Sequence, residues 1–284
     1  MSSSLHASTA VSIIVPTYNR PHGLKRCLVA VRTGVKSRHE IIVVGGDESK
    51  NMDGWLKQMP DVKYIHEERR DGMTAALNTA MHHVNGRYVM WLHDDARPLP
   101  GAIDAAMSAM KRPDFFDVGM ALFYHTNLLP KTQRHDSVLH EGANYSVGAV
   151  RGQLYSNFGI IRREILDQLG HFDSRFYLRC WDVDLSLRVQ NDLGRRVVGL
   201  RDALIAHEIQ HDERRLLDGS VAERDLQRMR QKWELGDDIA IPPPDLEIPA
   251  EVLGARMTSK LFAIPASPSV RPSLILNRPS RVFS

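Results

Sequence analysis

The stretch Val11-Ser-Ile-Ile-Val-Pro-Thr-Tyr-Asn-Arg20 places a short apolar run directly before a polar turn. Such a run predicts a buried β-strand, and the apolar residues between positions 24 and 31 then recur at helical spacing on one face. The same alternation of strand and helix continues to about residue 125. It is typical of an α/β domain in which helices cover both faces of a mostly parallel sheet.

The later elements are predicted from the same two patterns, which are short apolar runs for strands and helical spacing of apolar residues for helices. Strands are expected at residues 41–44, 62–65, 88–92, 118–123 and 197–200, and helices at 73–84, 103–110, 163–169, after 181 and from 220 to about 233. We therefore divide the chain into a flexible N-terminus (1–10), one domain (11–236) and a Pro-rich tail (237–284) with helical or extended segments. The domain has two halves, at about 11–123 and about 124–236.

The composition excludes several classes of protein. The 284 residues are 43% hydrophobic and 25% charged, as in globular proteins, and a net charge of +3 is too small to indicate nucleic acid as a partner. Cys27 and Cys180 form no CxxC or zinc-ligand pattern, so we expect a reducing cytoplasm. No apolar run reaches the roughly 20 residues that cross a bilayer. The chain is therefore not expected to span a membrane, and the tail could mediate oligomer contacts.

Polar residues follow three of the predicted strands. They are Pro16-Thr-Tyr-Asn-Arg20, Gly45-Gly-Asp47 and His93-Asp-Asp95. Ligands of open α/β sheets bind beyond the carboxyl ends of the strands, so these turns are the expected ligand site. Asp94 and Asp95 repel each other unless a cation or hydrogen-bond donors compensate them, which indicates a divalent metal. The alternative is an ordinary polar turn before Pro98.

The motifs together resemble a known family. The stretches 11–21 and 86–95, then Phe158-Gly-Ile-Ile-Arg-Arg-Glu164, Leu169-Gly-His-Phe-Asp-Ser-Arg-Phe176 and Trp181-Asp-Val-Asp-Leu-Ser-Leu-Arg188, follow the order of the family 2 glycosyltransferases. The resemblance covers residues 11 to about 233. It implies a GT-A fold with a Rossmann-like sheet, and inverting transfer of a sugar from a nucleoside diphosphate to a hydroxyl of a carbohydrate or lipid-linked acceptor. It also implies a nucleotide-binding half at about 11–123 and an acceptor-binding or catalytic half at about 124–236, and a lipid-linked acceptor would bring the enzyme to the membrane surface only.

The resemblance also implies residue roles. Asp182 matches the catalytic base, which would take the proton of the acceptor hydroxyl, and Asp95 with His207 would bind Mn²⁺ or Mg²⁺. The expected donor-binding residues are Pro16, Thr17, Tyr18, Arg20, Asp47, Gly72, Asn78 and Asp94. Trp181 and Asn157 are the expected acceptor-binding residues, with the Trp181 indole packing against a sugar ring. An alternative role for Asp182 is a simple helix N-cap.

The sequence departs from the family pattern at three places. Gly45-Gly46 stands where paired aspartates are usual, His93 replaces an acidic residue before Asp94, and Trp181 replaces one before Asp182. A catalytically impaired sugar-nucleotide-binding module of the same fold is therefore the main alternative function. A nucleotidyltransferase would need a Gly-rich basic first turn, and a dinucleotide-dependent oxidoreductase would need GxGxxG there. Neither pattern is present.

Overall fold

The computed structural model describes residues 9–46, 51–126, 144–208, 219–235 and 247–249. The expectations for the N-terminus up to residue 8, for Asp47 and for nearly all of the tail at 237–284 concern residues outside this description. None of the described helices is long and apolar enough to cross a membrane.

The described residues form twelve strands and seven α-helices. The strands are β1 (Val11–Tyr18), β2 (His39–Gly46), β3 (Val62–His66), β4 (Tyr88–Trp91), β5 (Ala96–Pro98), β6 (Val118–His125), β7 (Asn144–Ser146), β8 (Gly148–Val150), β9 (Gln153–Tyr155), β10 (Gly159–Arg162), β11 (Arg196–His207) and β12 (Glu247–Pro249). The helices are α1 (Pro21–Gly34), α2 (Asn51–Leu56), α3 (Met73–Met81), α4 (Ala102–Met110), α5 (Arg163–Leu169), α6 (Trp181–Asn191) and α7 (Gly219–Trp233).

The main sheet has the strand order β12-β7-β6-β10-β4-β1-β2-β3. The first half is parallel, since β1 pairs with both β2 and β4 in parallel and β2 pairs with β3 in parallel. Strand β10 runs antiparallel between β4 and β6, so the whole sheet is mixed. The predicted α/β class is confirmed, and each predicted strand and helix is found near its expected position.

The core is divided by the sheet into two apolar layers. Ile14 of β1 packs in the layer that contains α3 and α6, whereas its neighbours Ile13 and Val15 pack in the layer that contains α1 and α4. Successive side chains of a strand point to opposite faces, so a strand buried on both faces is apolar throughout. This explains the unbroken apolar run that opens the chain.

Strand β11 leaves the main path of the sheet, and its last residue, His207, borders a cleft. Its first part runs parallel to β6, a register shift follows between Leu200 and Leu204, and its last part pairs antiparallel with β5. In this pairing, His207 lies opposite Ala96. The C-terminal ends of β4 and β11 are therefore adjacent, although more than one hundred residues separate them in the sequence.

Buried charge joins α6 to α7. The Asp184 carboxylate, which is fully buried, accepts hydrogen bonds from Trp233 Nε1 at 2.8 Å and from Arg188 Nε at 2.9 Å. Lys232 Nζ lies 2.7 Å from the same carboxylate. A buried carboxylate is tolerated only when it is paired and hydrogen-bonded, so these donors stabilise the packing of α7 on α6.

The variant Trp233→Phe tests this contact. It removes the indole N–H and leaves one oxygen of Asp184 with fewer donors, so the free energy of unfolding should fall by about 1.5–3 kcal/mol. Urea unfolding followed by circular dichroism measures the change. Trp55→Phe is the matched control, because the Trp55 ring is paired with the exposed cation of Lys25 and should lose less than about 1 kcal/mol. Equal losses in the two variants would contradict the assignment.

Candidate active site

A cleft of about 470 Å³ opens at the carboxyl ends of β1 and β4. It contains most of the residues that the sequence predicts for the site. These are Pro16, Thr17, Tyr18, Arg20, Gly72, Asp94, Asp95, Asn157, Trp181, Asp182 and His207. Residues from all parts of the predicted domain therefore share one cleft.

A second cavity of about 500 Å³ lies at the opposite edge of the sheet. Tyr88 and Val118, which begin β4 and β6, line it together with Arg162 at the end of β10 and several basic side chains. Its lining includes neither the acidic pair nor a histidine. It is therefore not the candidate active centre.

The acidic pair is buried at the end of β4. Asp94 is 3% exposed and Asp95 is 8% exposed. Thr17 Oγ1 donates to Asp94 Oδ2 at 2.9 Å, and Arg20 Nη1 donates to Asp94 Oδ1 at 3.3 Å and to Asp95 Oδ2 at 2.7 Å. The end of β1 and the turn after it thus supply a hydroxyl and a cation to the turn after β4.

The backbone pairing of β5 with β11 delivers His207 to the acidic pair. The backbone N–H of Glu208 donates to the carbonyl oxygen of Asp95 at 3.0 Å, and His207 Nε2 lies 3.3 Å from Asp95 Oδ1. The Glu208 carboxylate is buried and pairs with Arg97 and with Arg26, whose Nη2 lies 3.0 Å away. Two guanidinium groups therefore hold the segment that carries His207.

Asp95 has the properties of a metal ligand. Burial would raise the pKa of its carboxyl group, but His207, His93 and Arg20 more than offset this effect, so the pKa is lowered and the group is ionised. Asp95 Oδ1 completes no well-aligned hydrogen bond within the described residues. The ionised, buried Asp95 Oδ1 and the imidazole nitrogen that it faces, His207 Nε2, are together suitable ligands for a divalent cation.

Asp182 lies in the first turn of α6, across the same cleft. The helix begins after Cys180, whose φ of 62° is in the left-handed region. Burial raises the pKa of the Asp182 carboxyl group to about 6, although backbone N–H groups of Val183 and Asp182 partly oppose the shift. This carboxyl group is therefore ionised at neutral pH but is a much better proton acceptor than an ordinary aspartate.

A polar contact and a close packing contact hold the segment that precedes α6. The Asp225 carboxylate on α7 accepts hydrogen bonds from the backbone N–H groups of Tyr177, Leu178 and Arg179, all within 3.2 Å. Gly72 precedes α3 with a φ of 102°, and a Cβ there would lie 2.7 Å from Tyr177. Glycine is therefore required at position 72 by packing as well as by conformation.

Two predicted residues have other surroundings than expected. Asn78 is not among the cleft-lining residues, because its amide exchanges hydrogen bonds with the backbone of Phe172 at 2.9 and 3.0 Å. Trp181 borders the cleft, but its ring packs edge-on against Trp91 and Phe172 and is 3% exposed. Asp47 lies outside the described residues. The sugar-stacking role of Trp181 gains no support from this packing.

The structure explains why glycines stand at the end of β2, where aspartates are usual. Gly45 has a φ of 150°, and a Cβ at this position would lie 1.7 Å from the carbonyl oxygen of Thr17. A Cβ on Gly46 would lie 2.8 Å from the carbonyl oxygen of Glu67. A side chain at position 45 would displace the end of β1, and one at position 46 would displace the segment after β3.

A ring cluster behind His207 was not predicted from the sequence. The Phe158 ring lies 4.9 Å from His93, 5.3 Å from His125 and 5.3 Å from His207, measured between centroids. His125 contacts Ser156 Oγ at 3.1 Å, and burial followed by the charges of His207 and His93 lowers its pKa to about 3. The only sequence signal for this cluster is the position of His93 beside the acidic pair.

Comparison with known proteins identifies the family. The sequence model of the family described as "Glycosyl transferase family 2" matches residues 12–170. The chain belongs to this family. The match begins at the first strand and includes both Asp94 and Asp95.

Individual relatives of this glycosyltransferase agree with the assignment. The chain is 24% identical to glycosyltransferase YwdF of Bacillus subtilis over 80% of its own length and 85% of the relative. It is 23% identical to glycosyltransferase AglE of Haloferax volcanii over 89% and 88%, respectively. Among solved structures, mannosyltransferase PcManGT of Pyrobaculum calidifontis, in complex with GDP-Man and Mn²⁺, matches with a TM-score of 0.58 at 18% identity, covering 90% of this chain and 71% of that one. The GT-A fold is confirmed.

One prediction from this site concerns the end of β2. Gly45→Ala should lower the free energy of unfolding by at least about 2 kcal/mol, because its Cβ would collide with the Thr17 carbonyl. Gly54→Ala on α2 is the control, since a Cβ there meets no atom within 4 Å. It should leave stability unchanged or raise it by up to about 1 kcal/mol. Chemical denaturation of both variants decides, and an unaffected Gly45→Ala protein would refute the collision.

A second prediction follows from the buried carboxyl group of Asp182. Its pKa is about 6 in the folded protein and 3.8 in the reference state, so the folded state binds the proton more tightly and loses stability as pH rises between these values. Asp182→Asn removes this cost and should raise the free energy of unfolding at pH 8 by about 1–3 kcal/mol. The gain should vanish below pH 4.

Urea denaturation of wild type and variant at pH 3.5 and pH 8 measures this difference. Asp192→Asn, at the other end of α6, is the control and should change stability by no more than about 0.5 kcal/mol at either pH. A pH-independent effect of Asp182→Asn would show that its carboxyl group does not carry the charge cost.

Proposed function

We propose that this glycosyltransferase transfers a sugar from a nucleoside diphosphate to an acceptor hydroxyl with inversion at the anomeric carbon. Asp182 acts as the general base, and Asp95 and His207 hold a divalent cation. The observation that supports this function best is that Asp95, His207 and Asp182 line a single cleft. The departing diphosphate and the attacking hydroxyl can therefore be bound on its two sides.

Donor binding uses the end of β1 and the turn after it. Thr17 and Arg20 contact Asp94 and Asp95, so this segment can contact the nucleotide and its phosphates. When bound, a divalent cation supplies a Lewis acid that stabilises negative charge on the leaving diphosphate. The structural relative from Pyrobaculum calidifontis was solved with GDP-Man and Mn²⁺, which supports a nucleotide-sugar donor and Mn²⁺ or Mg²⁺ here.

Asp182 accepts the acceptor proton. As the hydroxyl oxygen bonds to the anomeric carbon, the bond to the diphosphate breaks on the opposite face and the hydroxyl proton moves to the carboxylate. A pKa near 6 leaves this carboxylate ionised at neutral pH and strengthens it as a base. Asn157 and Trp181 border the cleft beside Asp182, so a carbohydrate or lipid-linked acceptor would enter there.

Two variants at position 182 test the proposal. Asp182→Asn cannot accept a proton, so turnover should fall about 10²–10⁴-fold while donor binding is retained. Asp182→Glu keeps the carboxylate and should recover part of the rate. Turnover of UDP-, dTDP- and GDP-sugars with Mn²⁺ and a panel of glycosyl acceptors is measured by release of the nucleoside diphosphate, and donor affinity by calorimetry.

The pH dependence provides an independent test. The value of kcat/KM should rise with pH through about 6, because the base must be ionised, and then level off. This rise should be absent from the residual rate of Asp182→Asn. If the wild type binds a donor with metal but transfers no sugar to any acceptor, the chain is instead a sugar-nucleotide-binding module.

A further inference from the structure

The cation site of the proposed function has a third side chain beside it. His93, Asp95 and His207 each offer one ligand atom, and these atoms all lie within 4.8 Å of one another. Two ligands on one ion, each bonded at about 2.1 Å, cannot be more than about 4.2 Å apart. Shifts of less than 1 Å would therefore bring all three atoms to a common ion.

The surroundings hold the two imidazoles in this arrangement. The Phe158 ring packs against both His93 and His207, and the two imidazole rings lie edge to face with centroids 5.3 Å apart. The β5–β11 pairing fixes His207, and the end of β4 fixes His93 and Asp95. An apolar wall and two strand ends thus leave little freedom for the rings to turn away.

We infer that His93 is the third protein ligand of the cation, which gives the site two imidazole nitrogens and one carboxylate. This inference rests on the proposed function only in taking Asp95 and His207 as ligands. Imidazole suits the later first-row metals such as Co²⁺, Ni²⁺ and Zn²⁺ best and Mn²⁺ least in that series, whereas Mg²⁺ and Ca²⁺ prefer oxygen ligands. The site therefore favours a transition metal over Mg²⁺, with Mn²⁺ the most weakly held of the series.

The remaining contacts of Asp95 agree with this ligand set. Its Oδ1 atom faces His207 and lacks a well-aligned hydrogen bond in the described part of the chain, whereas Oδ2 accepts from Arg20. One carboxylate oxygen can therefore bind the ion while the other stays paired with the guanidinium. His125 contacts Ser156 instead and is not part of the ligand set.

Direct metal titration of the full chain tests the inference. The protein is freed of metal, carries no histidine tag, and is titrated with MnCl₂ and MgCl₂ by calorimetry, alone and with UDP or GDP. Co²⁺ absorption in the visible range reports the nitrogen ligands. We expect wild type to bind Mn²⁺ at least tenfold more tightly than Mg²⁺ in at least one of these conditions.

Variants at position 93 separate the ligand from its neighbours. His93→Ala should weaken Mn²⁺ binding at least tenfold and change the Co²⁺ spectrum, with a smaller effect on Mg²⁺. His93→Asp should keep a ligand but lower the preference for Mn²⁺ over Mg²⁺ at least tenfold. His82→Ala removes an exposed imidazole and should leave both affinities within twofold. Circular dichroism confirms that each variant is folded.

Several outcomes would overturn the inference. These are Mn²⁺ affinity within twofold of wild type in both His93 variants, no metal binding by wild type with or without nucleotide, or equal affinity for Mg²⁺ and Mn²⁺. The proposed function can be contradicted while the ligand assignment holds. If Mn²⁺ binds through His93 but no sugar is transferred, the ligand assignment stands and the transferase mechanism falls; Asp182→Asn should retain Mn²⁺ affinity in either case.

Discussion

Two adjacent carboxylates buried at the end of one strand are the constraint on which this structure depends. Asp94 and Asp95 repel each other in a region of low dielectric, so the fold must bring compensating groups to them. Thr17 at the end of β1 and Arg20 in the turn after it reach them, because β1 and β4 are neighbours in the sheet. His207 comes from β11. The acidic turn is stable only where these three segments meet.

Local pattern predicted most of the fold. Apolar runs and helical spacing gave the strands and helices of the parallel half, because each of these elements buries a face whose period is visible in the chain. The short elements were not predicted. Strands β5 and β7–β9 have only three residues each and are too short to show a period. Strand β5 is held by β11, which is distant in sequence, whereas β8 and β9 pair only with each other in the described residues.

Local pattern alone predicted the candidate site only where a motif is continuous. The residues at the end of β1 and the acidic pair could be placed from it because strand ends meet at one edge of the sheet. Asp182 and His207 were expected only from the family resemblance. Asn78 could not be placed from local pattern, since its amide is occupied by the backbone of Phe172, which is 94 residues away. The requirement for glycine at position 45 depends on the Thr17 carbonyl above it, and no local pattern reveals that contact.

The pKa values of two carboxyl groups in the cleft, those of Asp95 and Asp182, are shifted in opposite directions. Around Asp95, imidazoles and a guanidinium lower the pKa and keep the charge, whereas around Asp182 burial raises the pKa to about 6. One fold can hold a permanent anion and a proton acceptor only if their surroundings differ in this manner. The two environments come from different elements, the strand ends and the start of α6. The proposed cation site and the proposed base can therefore vary independently, and the departure from the family pattern at His93 is confined to the first of them.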